Sequence, residues 1–75
     1  MILTLNLRIM QIFINDRPCE CPEKINVTTL LARENIRTDY IALALNDTVI
    51  PRSQWDFTEL TDGCRILIIK AVQGG

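Results

Sequence analysis

Apolar and polar positions in this chain repeat with two different periods, and the switches between them outline the elements. Residues 9–15, "IMQIFIN", repeat every second residue: Met10, Ile12 and Ile14 share one face, and Ile9, Gln11 and Phe13 the other, as a strand requires. Asn15-Asp16 is a turn signal. "RPCECPEKI" then reads as a second, shorter strand with Cys19 and Cys21 on one face and Glu20 on the other. The two strands predict a hairpin, with Pro18 and Pro22 marking a sheet edge or the strand ends.

The period then changes. Asn26 is placed as a helix N-cap, and Val27, Leu30, Leu31 and Glu34 follow at helical spacing, so the apolar members form one stripe. The helix is expected to run to about Asn35, which suits a left-handed ending. A helix this short is marginal alone in water, so it must lie on a sheet. "YIALALND" returns to the two-residue period: Ile41, Leu43 and Leu45 on one face, Tyr40, Ala42 and Ala44 on the other. Asn46-Asp47-Thr48 turns the chain, and "VIP" predicts a brief strand that Pro51 stops. "SQWDFTEL" reads as irregular or a single helical turn, offering Trp55 and Phe57 for packing. After the Thr61-Asp62-Gly63 turn, "CRILIIKAV" predicts the central strand, because both of its faces are apolar: Ile66 and Ile68 on one, Leu67 and Ile69 on the other.

A hairpin, one helix and further strands predict an α+β domain, a mixed sheet of four to five strands with one helix packed on one face. With the last strand running beside the first, this is the β-grasp arrangement. One helix covers one sheet face, yet the final strand is apolar on both. Contiguous apolar surface on a small protein marks a partner site. The alternative is that residues 1–8, or self-association, cover this face.

Composition narrows the function. The chain has 75 residues, 48% hydrophobic but 5% aromatic, so one domain with an aliphatic core is expected. Net charge is −1, with no basic stripe, which argues against nucleic acid. There is no histidine, which removes the usual general base and the commonest metal ligand. Three cysteines, Cys19, Cys21 and Cys64, cannot all pair, and Cys-x-Cys matches no standard zinc spacing. They read as reduced apolar fillers. The apolar start lacks the early positive charge of a signal peptide, since Arg8 follows the apolar stretch, and it is shorter than a membrane span. A cytoplasmic protein with no metal, no resident cofactor, no nucleic acid and no membrane partner is expected.

The sequence ends "KAVQGG". Gly74 and Gly75 add nothing to a core, because glycine loses the most freedom on ordering and brings no side chain. With Gln73 they are expected to form a tail, residues 73–75, mobile until a partner grips it. Glycines allow a terminal carboxylate to be threaded into a narrow channel on another protein. A carboxylate must be activated before acyl chemistry, for example by adenylation, and no phosphate-binding loop is present, so a separate enzyme is implied.

From Met10 onward the chain resembles the ThiS family, the sulfur carrier proteins of thiamin (thiazole) biosynthesis. The resemblance rests on "MQIFIND", "VTTLL", "ALALNDTVIPRSQW", "LTDG" and the ending "ILIIKAVQGG". The Gly-Gly end is shared with the molybdopterin-synthase small subunit and ubiquitin-like modifiers, whereas "IPRSQW" favours the thiamin branch. The resemblance implies a ubiquitin-like β-grasp carrier, not an enzyme. An E1-like adenylyltransferase would convert the Gly75 carboxylate to an acyl-adenylate. A sulfur donor system would make it a thiocarboxylate, and thiazole synthase would take the sulfur. Gly75 is carried over as the modified residue and Gly74 as its slim neighbour. Cys64 stands where the family commonly has an acidic residue, and residues 1–9 have no counterpart. The expected division is therefore an N-terminal extension over 1–9, the domain over 10–72 and the tail.

Arg52, Trp55 and Gln73 are the candidates for partner contact. Arg52 either pairs with an acidic patch on the activating enzyme or is a solvated charge. Trp55 is expected to cover its neighbours with its indole N–H at the surface. Cys64 is either a structural filler or a persulfide relay. The competing functions are the same chemistry serving molybdopterin synthase or conjugation, and a plain interaction domain with an inert tail.

Overall fold

The computed structural model describes residues 8–70. Five strands form one mixed sheet: β1 (Ile9–Ile14), β2 (Arg17–Pro22), β3 (Ile41–Leu45), β4 (Thr48–Val49) and β5 (Arg65–Lys70). Their order is β2-β1-β5-β3-β4. β1 and β5 run parallel at the centre, and the other neighbours are antiparallel. Among the described residues there is also one α-helix, α1 (Val27–Arg33), and a 3₁₀ segment, Arg52–Phe57. This is the α+β β-grasp arrangement expected from the order of periods.

Local chemistry accounts for the joints. Asn15-Asp16 and Asn46-Asp47 each link two strands, and all four residues have positive φ (49°, 67°, 47° and 70°). Two consecutive positive-φ residues make the mirror-image hairpin turn whose twist matches that of the strands, and Asn and Asp tolerate it. Asn26 caps α1, accepting at its Oδ1 from the Thr29 amide at 2.7 Å. At the other end the Ile36 amide donates to the Leu31 carbonyl (2.9 Å) and the Asn35 amide to that of Ala32 (3.2 Å), with Asn35 at φ 57°. That pair of bonds is the Schellman ending. Gly63, at φ 81°, lets the Thr61–Gly63 turn fold back so that its amide donates to the Gln11 carbonyl at 2.7 Å.

The core lies between α1 and one sheet face. Val27, Leu30 and Leu31 of the helix meet Ile12, Leu43 and Ile66 of the sheet, all essentially fully buried. Met10, Cys21 and Cys64 fill the space near the edge of this layer. β2 lies at the sheet edge, which is where its two prolines are tolerated.

Four details differ from the sequence expectation. Tyr40 adopts φ 59° and precedes β3 instead of opening it. β4 is Thr48–Val49, one residue before "VIP", because Thr48 pairs with Leu45 directly across the turn. Phe57 is 80% exposed, whereas Trp55 is 4% exposed and belongs to the core. The Trp55 indole N–H is satisfied internally, by the Ile50 carbonyl at 3.0 Å, so it does not face solvent.

Candidate functional site

β5 is the central strand, and in sequence it leads directly from the core into the Gly-Gly end. Its core-facing residues, Ile66 and Ile68, anchor it against the buried layer. Leu67 and Ile69 point to the other face and are 49% and 51% exposed. Residues directly opposite across a ladder share a face, and the register shows what surrounds them. Leu67 pairs with Ala44, which pairs with Val49; Ile69 pairs with Ala42; Phe13 lies opposite Pro18 and Arg65. An apolar strip therefore runs across the open face, over four strands, from Phe13 through Leu67 to Val49, with Ile69 alongside. α1 is on the opposite side, and among the described residues no element covers this strip.

The exit of β5 is built from the strands on either side. On the β3 side, Ile41 lies opposite Lys70. The loop before β3 supplies Arg37, Asp39 and Tyr40, which with Lys70 line a shallow surface depression at the strand end. Arg37 pairs with Asp39 at 3.4 Å. Arg52 reaches into the same neighbourhood: its guanidinium lies 4.6 Å from the centre of the Trp55 ring and donates to the Thr38 carbonyl. A guanidinium over an indole face is held by the ring quadrupole, so "PRSQW" pins the 37–39 loop beside the end of β5.

On the β1 side the arrangement is different. β1 pairs with β5 only at Phe13–Arg65 and Ile14–Ile66 before its hairpin turns away. The Phe13 amide donates to the Cys64 carbonyl (3.0 Å) and the Asn15 amide to the Ile66 carbonyl (2.8 Å). The Asn15 side chain then continues the ladder. Its Oδ1 accepts from the Ile68 amide at 2.7 Å, and its Nδ2 donates to the Ile68 carbonyl at 3.3 Å. At the other end of β5, Asn46 Oδ1 accepts from the Arg65 amide at 2.8 Å.

The sequence candidates thus fall in three places. Arg52 is at the surface near the strand exit. Trp55 is buried beneath it, so it supports Arg52 rather than offering a surface of its own. Gln73, Gly74 and Gly75, with the mobile tail expected of them, lie outside the described residues. Arg37, Tyr40, Lys70 and the Asn15 clasp at the exit of β5 were missed. Asn15 was legible only as a turn residue, since its pairing with β5 needs the register. Cys64 is buried, as a filler would be. Cys19 and Cys21 are held as protonated thiols: burial pushes both up first, aided by the Glu34 carboxylate for Cys19 and by the neighbouring thiols for Cys21. Protonated thiols are weak nucleophiles.

The fold defines a class, the β-grasp proteins, and among the described residues the face of β5 that carries Leu67 and Ile69 is left uncovered. The ThiS family model matches residues 7–75. The chain is 36% identical over 66 residues to the sulfur carrier protein ThiS of Escherichia coli (strain K12), covering 88% of this chain and 100% of that one. It is 30% identical to the uncharacterized protein ycf40 of Porphyra purpurea over 88% of this chain and 93% of the relative. The crystal structure of the thiamine biosynthesis protein (ThiS) from Geobacter metallireducens superposes with a TM-score of 0.80 at 29% identity, over 88% of this chain and 100% of that one. The chain belongs to the ThiS family.

Proposed function

We propose that this protein is a sulfur carrier for thiazole formation in thiamin biosynthesis, acting through its C-terminal carboxylate and performing no catalysis itself. Membership of the ThiS family across residues 7–75 is the observation that carries this reading. The placement of β5 supports it: the strand that precedes the Gly-Gly end is the central one, anchored by buried Ile66.

In this proposal an E1-like adenylyltransferase binds ATP, and the Gly75 carboxylate attacks the α-phosphate, releasing pyrophosphate. The acyl-adenylate is the activated electrophile that a free carboxylate is not. A sulfur donor system then displaces AMP, the terminus becomes a thiocarboxylate, and thiazole synthase takes the sulfur. Gly74 keeps the approach to Gly75 free of Cβ atoms. The open-face strip around Leu67 and Ile69 is the docking surface for these enzymes, and Arg52 and Gln73 are contacts near the tail. The domain runs from Ile9, the first residue of β1 and one position earlier than the sequence suggested, to residue 72, with 1–8 an extension and 73–75 the tail. The chemistry uses ATP and reduced sulfur, consistent with a cytoplasmic setting.

Intact-mass measurement tests the proposal. Incubation with adenylyltransferase, ATP and a sulfur donor is expected to replace one terminal oxygen by sulfur, and deletion of Gly75 to abolish the change. An unchanged mass for the native chain counts against the carrier reading. Pathway activity retained after the deletion leaves only an interaction domain.

A further inference from the structure

We propose that Asn15 is a positioning residue for the C-terminal chemistry, its side-chain amide acting as an extra rung of the parallel ladder that holds the outgoing end of β5. The functional half of this inference rests on the carrier reading above; the structural half stands independently. A backbone residue in a parallel ladder both accepts from and donates to the facing strand. Asn15 does the same with its side chain, engaging both polar groups of Ile68 after its own amide has bonded the Ile66 carbonyl. Three bonds to β5 thus come from one residue sitting in the hairpin turn.

The geometry explains why this matters at that point. β1 leaves the sheet at Ile14, opposite Ile66, while β5 continues to Lys70. Over this stretch the β3 side stays paired through Ile69 and Lys70. On the β1 side, the Asn15 amide supplies the bonds to Ile68, two residues before the last residue of the strand. Without it, the end of β5 is tied along one edge and pivots on the β3 ladder. A carboxylate delivered from a pivoting strand samples more directions, and the fraction of molecules competent to enter a partner's channel falls. Apparent affinity falls with that fraction, whereas the rate of chemistry once the tail is seated does not.

Asn46 provides the internal control. It too sits in a hairpin turn at positive φ (47°, against 49° for Asn15), and it too bonds a β5 amide through its Oδ1. Its bond is at Arg65, where β5 begins, remote in sequence from the terminus. Glycine accepts positive φ without strain, so Asn15→Gly and Asn46→Gly each delete the side-chain bonds and keep the turn.

Residue-resolved amide hydrogen exchange on the free, full-length chain is compared for the native protein and both variants. Asn15→Gly is expected to speed exchange at Ile68 about tenfold beyond any change in global stability, the effect of losing one local bond. Asn46→Gly is expected to leave Ile68 at its global-stability level. Steady-state activation by the adenylyltransferase is expected to show KM raised several-fold by Asn15→Gly at unchanged kcat, and neither parameter moved by Asn46→Gly. Unchanged Ile68 exchange in Asn15→Gly overturns the clamp. Equal KM increases in the two variants, or a change confined to kcat, overturn the positioning role. If Asn15→Gly does not fold, Asn15→Ala, which removes both side-chain bonds to Ile68, replaces it with Asn46→Ala as its control: Ile68 exchange no faster in Asn15→Ala than in Asn46→Ala overturns the proposal. Failure of the native chain to be activated sinks the carrier reading instead, and the exchange comparison still decides the clamp.

Discussion

Trp55 shows how one side chain serves packing and surface at once. Its ring joins the core, its N–H is satisfied by Ile50, and its outer face carries the Arg52 guanidinium 4.6 Å away. Trp55→Ala is expected to lose about 3–5 kcal/mol of stability, as for large buried aromatics elsewhere, whereas Arg52→Ala loses about 0.5–1 kcal/mol, the scale of an exposed cation–π contact. Chemical denaturation of both variants checks this, and a near-equal loss would show that Trp55 contributes little beyond the stack. The thiols make a second prediction. Cys19 and Cys21 are raised in the folded state, so the folded protein holds these protons more tightly than the unfolded chain does. Their contribution is full below the ordinary thiol pKa and declines as pH rises above it toward the folded values. The denaturation midpoint should therefore fall over that alkaline range, and less so in Cys19→Ala/Cys21→Ala. A slope unchanged by the substitutions would refute the assignment.

Among the elements, α1 depends most on its ends. Seven residues form too few internal bonds to be stable alone. Asn26 caps the helix and also donates through Nδ2 to the Asp56 carbonyl at 3.2 Å, tying α1 to the 3₁₀ segment. Thr28 adds a hydroxyl bond to the Asp56 carboxylate. Asn26→Ala is expected to lower stability by about 1–2 kcal/mol, toward the upper end for a cap because two elements lose their link. A thermal melt unchanged by this substitution would mean that packing alone holds the helix. The element list was largely legible beforehand: Asn26 as cap, Asn35 as the left-handed ending, the two Asn-Asp turns and the two-residue period of β1, β3 and β5 all follow from local sterics and hydrogen bonding. Tyr40 was not, because an aromatic residue at positive φ goes against its intrinsic preference.

On the scale of the whole molecule, one face of the sheet is buried under α1 and, among the described residues, no element covers the other. Replacing Leu67 and Ile69 together by threonine places a β-branched, strand-favouring residue at both half-exposed positions, so stability should change by no more than about 1 kcal/mol. Binding to the adenylyltransferase should fall at least tenfold, a loss of about 1.4 kcal/mol. Calorimetric titration measures it, and intact binding would move the docking surface elsewhere.

What the sequence determined by itself was whatever depends on near neighbours: the periods that separate strands from helix, the caps and turns, the apolar excess of "ILIIK", and the motif run that marks the family. Tertiary structure alone decided which distant groups meet. Trp55 is in the core and Phe57 out of it because α1 and the 3₁₀ segment close over one of them. Asn15 reaches Ile68, 53 positions away, because β1 and β5 lie parallel in one register. Near neighbours act through local geometry that residue types encode directly, whereas long-range pairing is set by how the whole sheet shares its buried face.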